Sequence, residues 1–141
     1  MMTEHQKELV RTSFTKIAPI AEETADLFYS RLFEIAPYIR PMFRGEIHEQ
    51  GIKMMTMLRS MVENIDTLNE KITQLEHLGK MHRSYGITNG HYDIFASALL
   101  WTLERMLGKD FTDDVRSAWV SLYVDLSAIM KNAASKITNA A

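Results

Sequence analysis

Five histidines, His5, His48, His77, His82 and His91, are the side chains best suited to chemistry in this sequence, because an imidazole can act as a base, a proton shuttle or a metal ligand near neutral pH. None belongs to an H-E-x-x-H zinc motif, and the chain has no Walker loop and no G-x-G-x-x-G turn. No carboxylate pair sits inside an apolar pattern, and there is no strained serine turn of the α/β-hydrolase kind. Cysteine is absent, which excludes disulfides, thiolate metal sites, a cysteine nucleophile and covalent cofactor attachment through C-x-x-C-H. His82 stands apart from the other four. It follows Leu78 by four residues and Gly79 by three, so the three share one helix face. An imidazole on an apolar face is either a core histidine bonded to a backbone carbonyl or a ligand, and Gly79 would leave room for something flat and bulky beside it. Spacing alone leaves both open. Met54, Met55, Met57 and Met61 crowd another stretch; a thioether can ligate iron, but methionines more simply fill an irregular cavity.

The elements that position these residues read as helices throughout. With 141 residues, the chain is long enough for one domain, 1–141, whose core needs no disulfides. Its 6 glycines and 3 prolines cluster between long apolar-periodic stretches, which is punctuation between helices rather than the even turns of an all-β chain. Thr3 and Gln6 form a capping-box pattern ahead of Leu9, Val10, Phe14 and Ile17. Pro19 breaks that helix, and the next carries Leu27, Phe28, Leu32, Phe33 and Ile35. Pro37 and Pro41 bracket a short turn ending near Phe43, and Arg44-Gly45-Glu46 reads as a corner. A third helix is expected from about His48 to Ile65, a fourth from Ile72 to His82 with Gly86 ending it, and a fifth over about Tyr92–Leu107. The last starts at Thr112 with Val115, Trp119, Leu122, Leu126 and Ile129 as its inner stripe. No segment alternates like a strand, so the class is all-α.

Charge excludes two partner classes. The 16 Lys+Arg and 18 Asp+Glu give a net charge of -2 with signs mixed along the chain, leaving no basic stripe for nucleic acid and no polybasic membrane patch. The longest apolar stretch, around Ala96–Leu103, is too short to span a bilayer. The polar start, Met1 to Glu8, lacks the apolar core of a secretory signal. Together with the lack of cysteine this points to a cytoplasmic protein.

Several segments in order resemble one family. Leu78-Gly79-Lys80-Met81-His82-Arg83-Ser84-Tyr85-Gly86-Ile87, followed by His91-Tyr92, is similar to the proximal haem segment of globins. Leu27-Phe28-Tyr29-Ser30-Arg31-Leu32-Phe33, then Pro37 and Met42-Phe43, resembles the second helix and following corner of that family, and Trp119 and Tyr123 match its last helix. The likeness covers essentially the whole chain and is nearest to bacterial single-domain globins of the flavohaemoglobin-like and Hell's Gate globin type. It implies a globin fold, a three-over-three helical sandwich around a haem. Because cysteine is absent, that haem would be haem b.

The resemblance also implies roles. His82 would be the proximal iron ligand. Phe43 would stack on the haem, Tyr29 would point into the distal pocket, and Gln50 would hold the usual distal position. Met54 would press on the ligand site and Lys53 would reach a propionate. Phe28, Met57, Leu78, Met81, Ile87, Tyr92 and Phe95 would complete the cofactor pocket. His48, a rival sixth ligand, is two residues from Gln50 and therefore about 200° round the helix. His5 and His77 are expected at the surface, and His91 either near a propionate or exposed. Flavohaemoglobin-type globins join the proximal histidine to a tyrosine and a glutamate. Tyr92 matches the tyrosine, but the glutamate position falls on Ala134, so His82 is expected to donate to a neutral acceptor, most simply the carbonyl of Leu78.

An apolar pocket keeps ferrous iron dry, and a donor beside the ligand favours polar dioxygen over carbon monoxide. The resemblance thus implies reversible binding of oxygen, NO or CO, for oxygen transport, scavenging or NO detoxification. Two other readings share the same donors: a nitric oxide dioxygenase fed by an external electron donor or reductase, and a haem-based gas sensor.

Overall fold

Capping boxes, prolines and glycines set several of the helix ends. The structure, a computed structural model, describes residues 2–43 and 45–140, the side chains of 136–140 excepted. Among them are six α-helices joined by short 3-10 segments, and no strand. Helix α1, Glu4–Ile17, opens with the reciprocal Thr3–Gln6 capping box. A 3-10 turn at Ala18–Ile20, with Pro19 inside it, leads into α2, Ala21–Ile35. Pro37 starts the 3-10 segment Pro37–Met42, and Phe43 leaves it extended. Helix α3 is Ile47–Glu63. The stretch around Asp66 and Asn69 is a 3-10 segment, Ile65–Lys71, bent at Thr67. Lys7 and Arg11 of α1 both bind Asp66 and tie this segment down, at 3.3 and 3.2 Å.

Helix α4, Ile72–Ser84, ends just before Gly86, whose φ of 90° only glycine adopts readily. Helix α5, Asn89–Leu107, begins three residues earlier than expected. Thr88 caps the His91 N–H, and His91 Nδ1 accepts from the Thr88 N–H at 3.0 Å. Its end at Gly108 is as expected. Helix α6, Asp113–Ala140, is capped by Thr112, whose hydroxyl accepts from the Val115 N–H at 3.2 Å. Arg44, part of the expected corner, lies outside the described residues.

The six helices pack as the three-over-three sandwich. Helix α2 lies on α3 and α5, and α6 lies on α1, α4 and α5. One core cluster joins Val10, Phe14 and Ile17 of α1 to Val115, Trp119 and Leu122 of α6. Trp119 is fully buried, and its Nε1–H donates to Ser13 Oγ at 2.9 Å. Two smaller clusters, one around Phe28 and Leu32 and one around Leu75 and Met130, flank the candidate site.

Candidate functional site

Tyr29 is set by ring packing. It is buried on α2 against Phe28 at 5.0 Å, Phe33 at 5.9 Å and Phe43 at 5.6 Å between ring centres. Helix α3 approaches this ring because Gly51 has no side chain: a Cβ there would lie 2.9 Å from Ala25 Cβ and 3.8 Å from Tyr29 Cε2. Gln50, the preceding residue, is half-buried at the same crossing. Burial pushes the Tyr29 hydroxyl up to about 12, so it is a protonated donor at neutral pH.

His82 is set by a backbone crossing. A Cβ on Gly79 would lie 2.4 Å from the carbonyl oxygen of Met130, so α4 touches α6 main chain to main chain. Gly79 therefore makes no room for a flat group, as its spacing from His82 suggested; it lets α6 in. Burial pushes the His82 imidazole down to about 4, which keeps it neutral. Its Nδ1 is buried without a hydrogen-bond partner, so the expected bond to the Leu78 carbonyl is not made. The Tyr92 hydroxyl is likewise buried and unpartnered, with its ring 6.2 Å from that of His82. Ala134, where the resemblance sets a glutamate, is buried on α6 one turn beyond Met130.

A continuous run of rings joins the two walls. Tyr29 meets Phe43, Phe43 meets Phe95 at 6.4 Å, Phe95 meets Tyr92 at 6.1 Å, and Tyr92 meets His82. Phe95 and Met42 belong to both flanking clusters and mark the seam between them. Met54 packs with the Tyr29 cluster, while Met57 and Leu78 pack with the Tyr92 cluster. Phe28 and Ile87 are buried inside these clusters and back the walls. Lys53 and Met81 are exposed, and Met81 belongs to neither apolar cluster. Met42, Ile47 and Ile94 pack at the Tyr29 side and were not anticipated. The signal for Met42 and Ile94 was their place beside Phe43 and Phe95.

The remaining histidines point elsewhere. His48 Nδ1 lies 3.6 Å from Asp26 of α2 and is half-exposed, as the 200° offset implied. His91 caps α5, neither simply exposed nor shown near a propionate, and His5 and His77 are exposed.

A globin family profile matches residues 26–130, the stretch that holds both walls. The chain belongs to the globin family. Neuroglobin-1 of Oncorhynchus mykiss is 26% identical over 149 residues, covering 96% of this chain and 94% of that protein. The flavohemoprotein of Rhizobium meliloti (strain 1021) is 25% identical over 143 residues, covering 97% of this chain but 35% of its own length. This globin therefore spans about a third of that relative. Among solved structures, an engineered carbene transferase, a candidate nitric oxide dioxygenase from Rhodothermus marinus, superposes with a TM-score of 0.91 over 99% of this chain and 98% of its own. At 21% identity that likeness shows the fold alone.

Membership of the globins implies haem, and the residues present suit it. Among the described residues no cluster of three or more His, Asp or Glu could hold a bare metal ion. One neutral imidazole in apolar surroundings would suit instead a metal held mainly by a cofactor, to which it would add a single ligand. Half-buried Met42, Phe43, Leu78 and Phe95 supply apolar surface for a flat group. Among the described residues, no helix is long and apolar enough to cross a membrane.

Proposed function

We propose that this globin would hold haem b through His82 and would bind oxygen, NO or CO reversibly beside Tyr29 and Gln50. One observation carries the reading. A single neutral imidazole and a single protonated, ring-packed phenol stand at opposite ends of one chain of aromatic contacts. When bound, the haem supplies an iron that takes a diatomic ligand and exchanges one electron. The chain's own residues do the rest. Neutral His82 offers a lone pair without first losing a proton. Phe43, Phe95 and the methionines exclude water. Tyr29 offers an O–H to a polar ligand, and a donor aimed at a charge-bearing ligand contributes about 1.5–3 kcal/mol.

The name of one structural neighbour, a candidate nitric oxide dioxygenase, suggests a second role, oxidation of nitric oxide with electrons from a separate reductase. A cysteine-free chain suits the reducing cytoplasm in which such a donor works. The test is reconstitution with haem. A Soret band that shifts with oxygen and carbon monoxide is expected, and its absence after haem supplementation would end the haem reading. Nitrate formed per nitric oxide consumed, with a reductase supplied, then separates turnover from ligand binding.

A further inference from the structure

A positive charge lies over the ring that neighbours His82. Lys131, half-buried on α6, holds its ammonium 5.4 Å from the centre of the Tyr92 ring. Tyr92 is only 4% exposed, and its ring meets that of His82 at 6.2 Å and 63°. The Tyr92 ring thus touches the Lys131 cation and the His82 imidazole alike. Ala134 contributes no charge to it. Asp93, next to Tyr92, is exposed, and its field acts on Tyr123. The charge set on the face of this ring is therefore positive. A cation over a ring face is held by the ring's quadrupole. Away from bulk water its field is screened far less than at the surface.

We infer that Lys131 is an electrostatic positioning residue for the iron centre: through Tyr92 it makes the His82 imidazole less electron-donating and biases a His82-bound iron towards its ferrous state. The inference rests on the proposed role of His82. A positive charge opposes the extra positive charge of ferric iron and favours the ferrous form, which binds oxygen. It also withdraws electron density from the unpartnered pair, His82 Nδ1 and the Tyr92 hydroxyl, so the chain leans towards ligand binding rather than O–O cleavage.

The test compares haem-loaded parent protein with Lys131→Met, Lys131→Arg and Lys131→Glu. In Lys131→Met the ferric-to-ferrous ratio at fixed potential should rise about 3- to 10-fold, a tenfold change being about 59 mV for one electron. Lys131→Glu should move it further, and Lys131→Arg should stay near the parent. The iron–histidine stretch should rise in the same order. In the haem-free protein, the Tyr92 ring carbons should shift by NMR in Lys131→Met but hardly in Lys131→Arg. Unchanged midpoints in Lys131→Met and Lys131→Glu, with normal Soret bands, would overturn the inference. An arginine variant shifted as far as the methionine variant would overturn it too, because packing rather than charge would then be at work. A parent protein with no Soret band would sink the role of His82 instead, and the Tyr92 spectra would still report whether the cation sits on the ring.

Discussion

The wall around Tyr29 and the wall around His82 are each built where two helices cross at a glycine, yet the crossings do opposite things. At Gly51 the helix meets a side chain, Ala25 Cβ, and the Tyr29 ring lies in ordinary contact just beyond. Rings on three sides then fix the phenol. At Gly79 the helix meets the main chain of Met130, and the polar atoms just beyond, His82 Nδ1 and the Tyr92 hydroxyl, are left unpaired. An unmade buried hydrogen bond costs about 1–3 kcal/mol. The His82 wall therefore carries a local cost that backbone packing between α4 and α6 must offset, whereas the Tyr29 wall is held by ring contacts. A histidine that ligates a metal through one ring nitrogen ordinarily donates the other N–H to an acceptor, and at His82 that acceptor is missing.

The hardest break in this contrast is His82→Ala. It should abolish stable haem retention, with partial rescue by added imidazole, read as Soret absorbance after gel filtration. Unchanged haem content would mean that another side chain ligates the iron. Next is the Tyr29 wall. Tyr29→Phe should accelerate oxygen dissociation roughly 10- to 100-fold, while changing carbon monoxide dissociation much less. Gln50→Leu should act in the same direction, and the double variant should fall short of additivity if both donors serve one ligand. Stopped-flow release rates decide this, and parental oxygen release in Tyr29→Phe would remove the phenol from the ligand site.

The two glycines give a direct comparison. Gly79→Ala should destabilise the protein by about 2 kcal/mol, because a Cβ pressed on backbone forces α4 and α6 apart. Gly51→Ala should also destabilise, but by less, since its single overlap, on Ala25 Cβ, is partly offset by a helix-propensity gain of about 1 kcal/mol. Urea denaturation of both measures the difference, and equal losses would erase the distinction between the crossings. The smallest expected effect is at high pH. Burial raises the ionisation of Tyr29 to about 12 and raises Tyr92 and Tyr123 as well. The unfolded chain releases these protons near 10 and the folded chain later, so stability should be full below pH 10 and fall as pH rises towards 12. Absorbance at alkaline pH, followed with helicity, should show these tyrosines ionising together with unfolding.

The helix plan was readable in residues with one local job. Thr3 with Gln6, Pro19, Pro37 and Gly108 each act within a turn of themselves, and the structure keeps them in those roles. The start of α5 escaped because its capping partner is His91, where Glu or Gln is the familiar reciprocal acceptor. His82, Tyr29 and Phe43 stood out through spacing and family likeness. The true partner of Gly79 lies on a helix distant in sequence, so no local pattern could show it. The same holds for the ring-to-ring path and for Lys131 over Tyr92, which exist only once α4, α5 and α6 are packed.

The bond from Trp119 to Ser13 spans 106 positions, and it sets a clock on the nascent chain. Val10, Phe14 and Ile17 share their cluster with α3 and α5 as well as α6, but α1 packs most extensively on α6, so during synthesis part of the inner face of α1 stays uncovered until the sixth helix has left the ribosome. Helices α2 and α3, which pack on each other, can associate earlier and at lower entropic cost, because closing a longer loop costs more. The α1–α6 closure is then a late step in biogenesis, and the interval before it is when the chain most needs a chaperone.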